Sequence, residues 1–126
     1  MAANIAAAHD AAASVNIVPG FPVTVCDERA VMLARAVTQR LFGDVAWQTL
    51  GAPKMGAEDF SYVLQKVPGA MLNLGAAPES GDCETCCGLH SNRMVLDESV
   101  MARGAAMHCA IAETFLQDGF DIANSS

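Results

Sequence analysis

Met55-Gly-Ala-Glu-Asp-Phe60 sets two carboxylates behind a glycine, and Leu89-His-Ser91 closes a cysteine-rich stretch on a single histidine. These are the residue types that metal-assisted hydrolysis draws on. An imidazole holds a cation; an acid orients a ligand, positions a water or donates a hydrogen bond. Gly56 and Ala57 are small enough for a substrate to approach the backbone, and a helix starting there would aim free N–H groups at an anion. The plainer use of Glu58 or Asp59 is to cap the helix running on to Lys66. His90 as a neutral imidazole suits zinc, manganese or nickel, and loops between elements are where ligands sit. Its plainer reading is a surface histidine. One histidine and one Glu-Asp pair are too few for a working metal centre, so the chain reads as part of an active site.

Cys83-Glu-Thr-Cys86-Cys87-Gly-Leu-His90 offers a second reading, a compact zinc module. Cys-x-x-Cys is a chelating spacing, but structural zinc sites join two separated ligand pairs, and no second pair exists here. The plainer reading is a variable loop with incidental cysteines. His108 falls on an apolar stripe and reads as a core or half-buried histidine. There is no Gly-rich phosphate loop, no G-x-S-x-G elbow and no Cys–His nucleophile pair.

The chain has 126 residues, 52% of them hydrophobic and 17% charged, which fits one packed domain rather than disorder. Fourteen acidic against seven basic residues give a net charge of −7. Without a Lys/Arg cluster there is no electrostatic footprint for nucleic acid or an anionic membrane. No apolar run approaches the roughly 20 residues that span a bilayer, and no basic, apolar leader opens the chain. The expectation is a cytoplasmic protein with reduced thiols.

The positioning elements follow from pattern. Ala2 to Ala13 has the composition of a helix, without a cap behind Met1, and reads as the end of a helix begun elsewhere. Phe21 to Val25 has strand composition, held to an edge by Pro22. Asp27 caps a helix whose stripe is Ala30, Leu33, Ala34, Val37 and Leu41, and Gly43 ends it. Val45 to Leu50 reads as a strand, Ala57 to Lys66 as a short helix and Ala70 to Leu74 as a central strand. A loop from Gly75 to Met94 leads to a last helix capped by Asp97, with its face at Met101, Gly104, His108, Ile111 and Phe115 and its stop at Gly119. Strands alternating with helices predict a layered α/β or α+β fold, helices on a mixed sheet. An alternative without catalysis is an interaction domain that dimerises through the edge at Phe21 to Val25.

In order, Pro22-Val-Thr-Val25, Met55-Gly-Ala-Glu-Asp-Phe-Ser61, Val67-Pro-Gly69, Leu74-Gly75, Leu89-His-Ser91 and Leu96-Asp-Glu98 resemble the C-terminal part of the metal-dependent amidohydrolases. That group contains hippurate hydrolase, indole-acetyl-amino-acid hydrolase, aminoacylases and related carboxypeptidases. The resemblance runs to about Phe115. It implies that residues 1–26 close a small lid or dimerisation domain and that 27–118 form the C-terminal part of a catalytic domain, while the stop at Gly119 leaves 119–126 as a tail. It further implies hydrolysis of N-acyl amino acids or related small amides by a metal-activated water, with a glutamate as base. His90 matches the family's final metal ligand, and Gly56, Ala57, Glu58 and Asp59 match the wall of its substrate cleft. The cofactor implied is a divalent metal, Zn, Mn, Co or Ni, two per complete site. The family's Cys-x-His pair, further histidine and Glu-Glu belong to an N-terminal catalytic half absent from these residues. The expected partners are therefore that half, the small substrate and a possible second copy.

Overall fold

A computed structural model describes residues 1–78 and 89–121 of the chain. Among the described residues there are four α-helices: α1 (Ala2–Ala8), α2 (Glu28–Phe42), α3 (Phe60–Leu64) and α4 (Val100–Asp118), with a 3₁₀ turn at Asp44–Ala46 after α2.

The start of α2 is fixed by charge. Asp27 sits in extended backbone and its Oδ1 accepts from the Arg29 N–H at 2.9 Å, while the Arg29 guanidinium closes on the same carboxylate at 2.9 Å. The hydrogen bonds from the Arg29 side chain and backbone hold the Asp27 carboxyl at about 2, well below its ordinary 3.8. A depressed carboxylate stabilises the fold above its ordinary value, and the contribution is lost as pH falls through the lowered one. The Arg29 amide resonance should therefore titrate with a midpoint near 2, and helix content at the start of α2 should decline between about 3.8 and 2. Asp27→Asn keeps a capping oxygen and removes the titration, so an unchanged acid midpoint in that variant would refute this assignment.

The far end of α2 stops at Gly43, whose φ of +86° is open only to a residue without Cβ strain. Its buried face is Leu33, Ala34, Val37 and Thr38. Thr38 takes the place expected of Leu41, which is exposed. The Thr38 hydroxyl donates to the Ala34 carbonyl at 2.7 Å and lies 3.3 Å from Met107 Sδ, so its burial leaves no polar atom unmatched.

α2 packs on α4. Thr38 meets Met107 near one end, and Arg29 lies 4.8 Å over the Phe120 ring just past the other. Arg40 donates to Thr114 Oγ1, which itself donates to the Ala110 carbonyl. The buried apolar core among the described residues is small: Leu33, Ala34 and Val37.

The face that α4 turns to α2 differs from the expected stripe. Gly104, Met107, Ala110, Ile111 and Thr114 are the more buried positions, while Met101, His108 and Phe115 are exposed. His108 is thus a surface residue. Apolar side chains cover most of this helix, so periodicity gives two candidate faces and cannot say which one meets α2.

Other expectations change in detail. α1 ends at Ala8 rather than Ala13, because Asp10 adopts φ +54° and no residue of the helix is buried to hold it further. The expected strand over Val45 to Leu50 begins instead inside the 3₁₀ turn that follows Gly43. Phe21 to Val25 and Ala70 to Leu74 are not helical, and among the described residues no β-strand is formed. Two bonds join these segments at one end, Asp27 N–H to the Gly69 carbonyl at 2.8 Å and Met71 N–H to Cys26 Sγ at 3.3 Å. A Cβ at Gly104 would stand 3.2 Å from a Leu74 methyl, so Gly104 lets the second segment lie close to α4.

Candidate functional site

The turn before α3 is built on Glu58. Its Oε1 accepts from the Phe60 N–H at 3.2 Å, and its carbonyl accepts from both the hydroxyl and the N–H of Ser61. Ser61 is fully buried, and sequence reading passed it over. A serine three residues after a helix-starting acid, placed to bond back to its carbonyl, is the signal that could have found it. Of the two acids, Glu58 holds the helix start, while Asp59 is exposed and its carboxylate makes no hydrogen bond among the described residues. The expected cradle of free N–H groups is correspondingly reduced, since Phe60 N–H is taken by Glu58. Gly56 and Ala57 are exposed, and a Cβ at Gly56 would meet nothing within 4 Å. The backbone there is open to an approaching molecule.

Behind α3, Tyr62 packs edge-to-face on Phe21 with ring centroids 5.8 Å apart. This leaves an open groove of about 250 Å³ lined by Val23, Val25, Ser61, Leu64 and Gln65. A second groove of about 390 Å³ continues past Val25 to Pro68. Neither is lined by Gly56 to Asp59 or by His90, so the space and the candidate chemistry lie in different places. Both grooves are shallow and lined mainly by exposed side chains, so the chemistry of the residues is the better guide to the site.

His90 is exposed and adopts φ +71°. That left-handed conformation is uncommon outside glycine, and histidine is among the residues that tolerate it. The turn continues with Ser91, whose hydroxyl accepts from the Arg93 N–H and whose carbonyl accepts from the Met94 N–H. Asp97 N–H donates to the Ala76 carbonyl at 3.0 Å, which clasps the base of the long loop. The Asp97 carboxylate accepts from the Ser99 N–H ahead of α4, and bonding to Ser99 lowers its pKa. Cys83, Cys86 and Cys87 lie outside the described residues. No hydrogen bond or ion pair joins His90 to the Gly56–Asp59 turn among the described residues.

A metal needs several donors at once, about three protein ligands in a catalytic zinc site. Among the described residues no group of three or more His, Cys, Asp or Glu side chains is placed to hold one. The described residues do not by themselves fit a complete metal centre. His90 is a single exposed imidazole, able to serve only as one donor among others. No helix among the described residues is long and apolar enough to cross a membrane.

Comparison with known proteins agrees with the ordered motifs. IAA-amino acid hydrolase ILR1-like 2 of Arabidopsis thaliana is 33% identical over 117 residues, covering 90% of this chain and 26% of that protein. A probable hydrolase of Synechocystis, sll0100, is 32% identical over 102 residues, 81% of this chain and 25% of its own length. Thermostable carboxypeptidase 1 of Saccharolobus solfataricus is 41% identical over 63 residues, 50% of this chain and 16% of that protein. The chain thus spans about a quarter of the length of the first two relatives. No solved structure matches it. The profile of peptidase family M20/M25/M40 matches residues 5–114, and the chain belongs to that family.

Proposed function

We propose that this chain is the C-terminal part of a metal-dependent amidohydrolase that cleaves the amide bond of N-acyl amino acids or related small amides. The observation that carries the reading is the alignment of nine-tenths of the chain with a protein named as a hydrolase of indole-acetyl amino acids. In this reading Gly56, Ala57, Glu58 and Asp59 line the substrate cleft. The open backbone at Gly56 and the uncommitted Asp59 carboxylate support that assignment. His90 supplies one donor to a centre of two divalent ions, Zn, Mn, Co or Ni, whose other ligands and base belong to an N-terminal half. Such a centre, held by His90 together with the ligands of that half, would supply a water of lowered pKa and a polarised carbonyl. Residues 1–26 close a lid or dimerisation domain, a reading supported by the exposure of every residue from 11 to 20. The extended, β-type segments Phe21 to Val25 and Ala70 to Leu74 become strands of a mixed sheet when neighbours are supplied. The whole works in the cytoplasm, as a monomer or a homodimer.

The test has two arms. The isolated chain, loaded with Mn²⁺ or Co²⁺, should show no turnover of benzoyl-glycine or indole-acetyl-alanine. A chimera carrying this chain in place of the matched stretch of the Arabidopsis relative should hydrolyse such an amide in a metal-dependent way. Turnover by the isolated chain would remove the claim of incompleteness. A folded, metal-loaded chimera inert towards both amides would remove the proposed reaction.

A further inference from the structure

Lys54 stands two residues before Gly56, where the chain enters the turn whose backbone is open. Its ammonium donates to the Asn73 side-chain oxygen at 3.0 Å, across 19 residues of chain. That contact fixes where the charge sits without cancelling it, because an amide oxygen is neutral and takes only one of the three donors of an ammonium. Both residues are exposed, and Lys54 makes no ion pair among the described residues. The turn beyond it carries two acids, Glu58 and Asp59, so an anion lying along this wall needs a cation beside it. The other basic residues stand elsewhere. Arg29 is paired with Asp27, Arg40 donates to Thr114, and Lys66 lines the second groove. Arg35 and Arg103 belong to α2 and α4, which leaves Arg93, on the His90 turn, as the one rival.

We infer that Lys54 is a specificity-determining residue: its ammonium receives the free carboxylate of the substrate, and Asn73 is the positioning residue that holds it there. The inference rests on the reading proposed above and narrows it, from small amides in general to amides whose leaving amine carries an acid. In such a substrate the carboxylate is one carbon from the scissile nitrogen. The group that holds it therefore also fixes where the amide lies along the Gly56–Asp59 wall. The geometry permits this, since the Cα atoms of Lys54 and Gly56 are no more than about 7.6 Å apart, within the reach of a lysine stem. Two ammonium donors remain for the anion while the third stays on Asn73. The carboxylate keeps its charge throughout the reaction, so the contact is equally strong in the ground and transition states. It acts on KM and leaves kcat alone.

The experiment compares benzoyl-glycine with benzoyl-glycinamide in the metal-loaded chimera, reading benzoate release. The amide keeps the scissile bond and replaces the carboxylate by a neutral group of similar shape. The chimera should prefer the acid. Lys54→Met should raise KM for benzoyl-glycine about tenfold or more, with kcat little changed and benzoyl-glycinamide kinetics unaltered. Lys54→Arg should keep most of the preference, and Asn73→Ala should lose part of it. A lysine that merely ties two segments together would weaken both substrates alike, and that result overturns the inference. So does a preference lost in Arg93→Met and kept in Lys54→Met. An active chimera that does not distinguish acid from amide leaves the hydrolase reading standing and overturns the role of Lys54. Calorimetric titration with the same two compounds covers a chimera without activity. Selective binding of benzoyl-glycine that is lost in Lys54→Met, with no cleavage, supports the carboxylate site and counts against the hydrolase. Neither binding nor cleavage overturns both.

Discussion

Replacing His90 by alanine in the active chimera is expected to reduce amide turnover by more than the ten- to hundredfold typical of losing an outer-shell partner of a metal ligand, to below about 1% of the parent rate. The backbone makes this residue unusually informative. At φ +71° a side chain with a Cβ carries strain of roughly 1 kcal/mol, so His90→Gly should relax the turn while removing the imidazole. Activity and stability are then expected to move apart. His90→Gly should match His90→Ala in lost activity and lost bound metal, and both should unfold below the metal-loaded parent, His90→Gly the less so. His90→Ala should unfold lower, because alanine keeps the strain. The measurements are initial rates, metal content after gel filtration, and thermal unfolding followed by far-ultraviolet circular dichroism. A His90→Gly chimera that retains its metal and more than a tenth of its rate would show that the imidazole is only a surface group. A loss of rate with unchanged metal content would leave His90 in the reaction but remove it from the metal.

What the sequence made legible was local chemistry with a fixed geometric outcome. Asp27, Gly43 and Gly119 bound two helices within a few residues because a cap and a left-handed stop act on the backbone nearest to them. That one of Glu58 and Asp59 starts the helix was legible for the same reason, but which of them accepts from the Phe60 N–H was not. The relation of segments across space was not. The buried face of α4 shifted from His108 to Met107 because this helix carries two apolar faces. Continuation of α1 past Ala8 was expected from composition, but His9 and Asp10 interrupt the segment and nothing packs on it to resist fraying. The sheet could be read only as strand propensity, since a strand exists through its partner and propensity does not supply one. The ordered motifs from Pro22 to Glu98 pointed to the family, whereas the donors that would join His90 lie outside the reach of any pattern in this chain.

Leu33→Ala in the isolated chain is expected to abolish most of its helical circular dichroism at room temperature. Leu33 is 2% exposed in a core whose other buried apolar members among the described residues are Ala34 and Val37. Truncating a buried leucine costs about 2–5 kcal/mol, and a core this small cannot hold a reserve of that size. Leu116→Ala removes the same atoms from a side chain that is 83% exposed, so in the isolated chain it should change stability by no more than about 0.5 kcal/mol. In the chain joined to the proposed N-terminal half, a cost of Leu116→Ala approaching that of Leu33→Ala would show that the outer face of α4 is covered, while a larger core dilutes the effect of Leu33→Ala. Guanidinium unfolding of both variants in both settings separates these cases. A Leu33→Ala chain that stays helical would show that the α2–α4 contact does not organise this chain. An equal, negligible cost of Leu116→Ala in both settings would show that the outer face of α4 remains in water throughout.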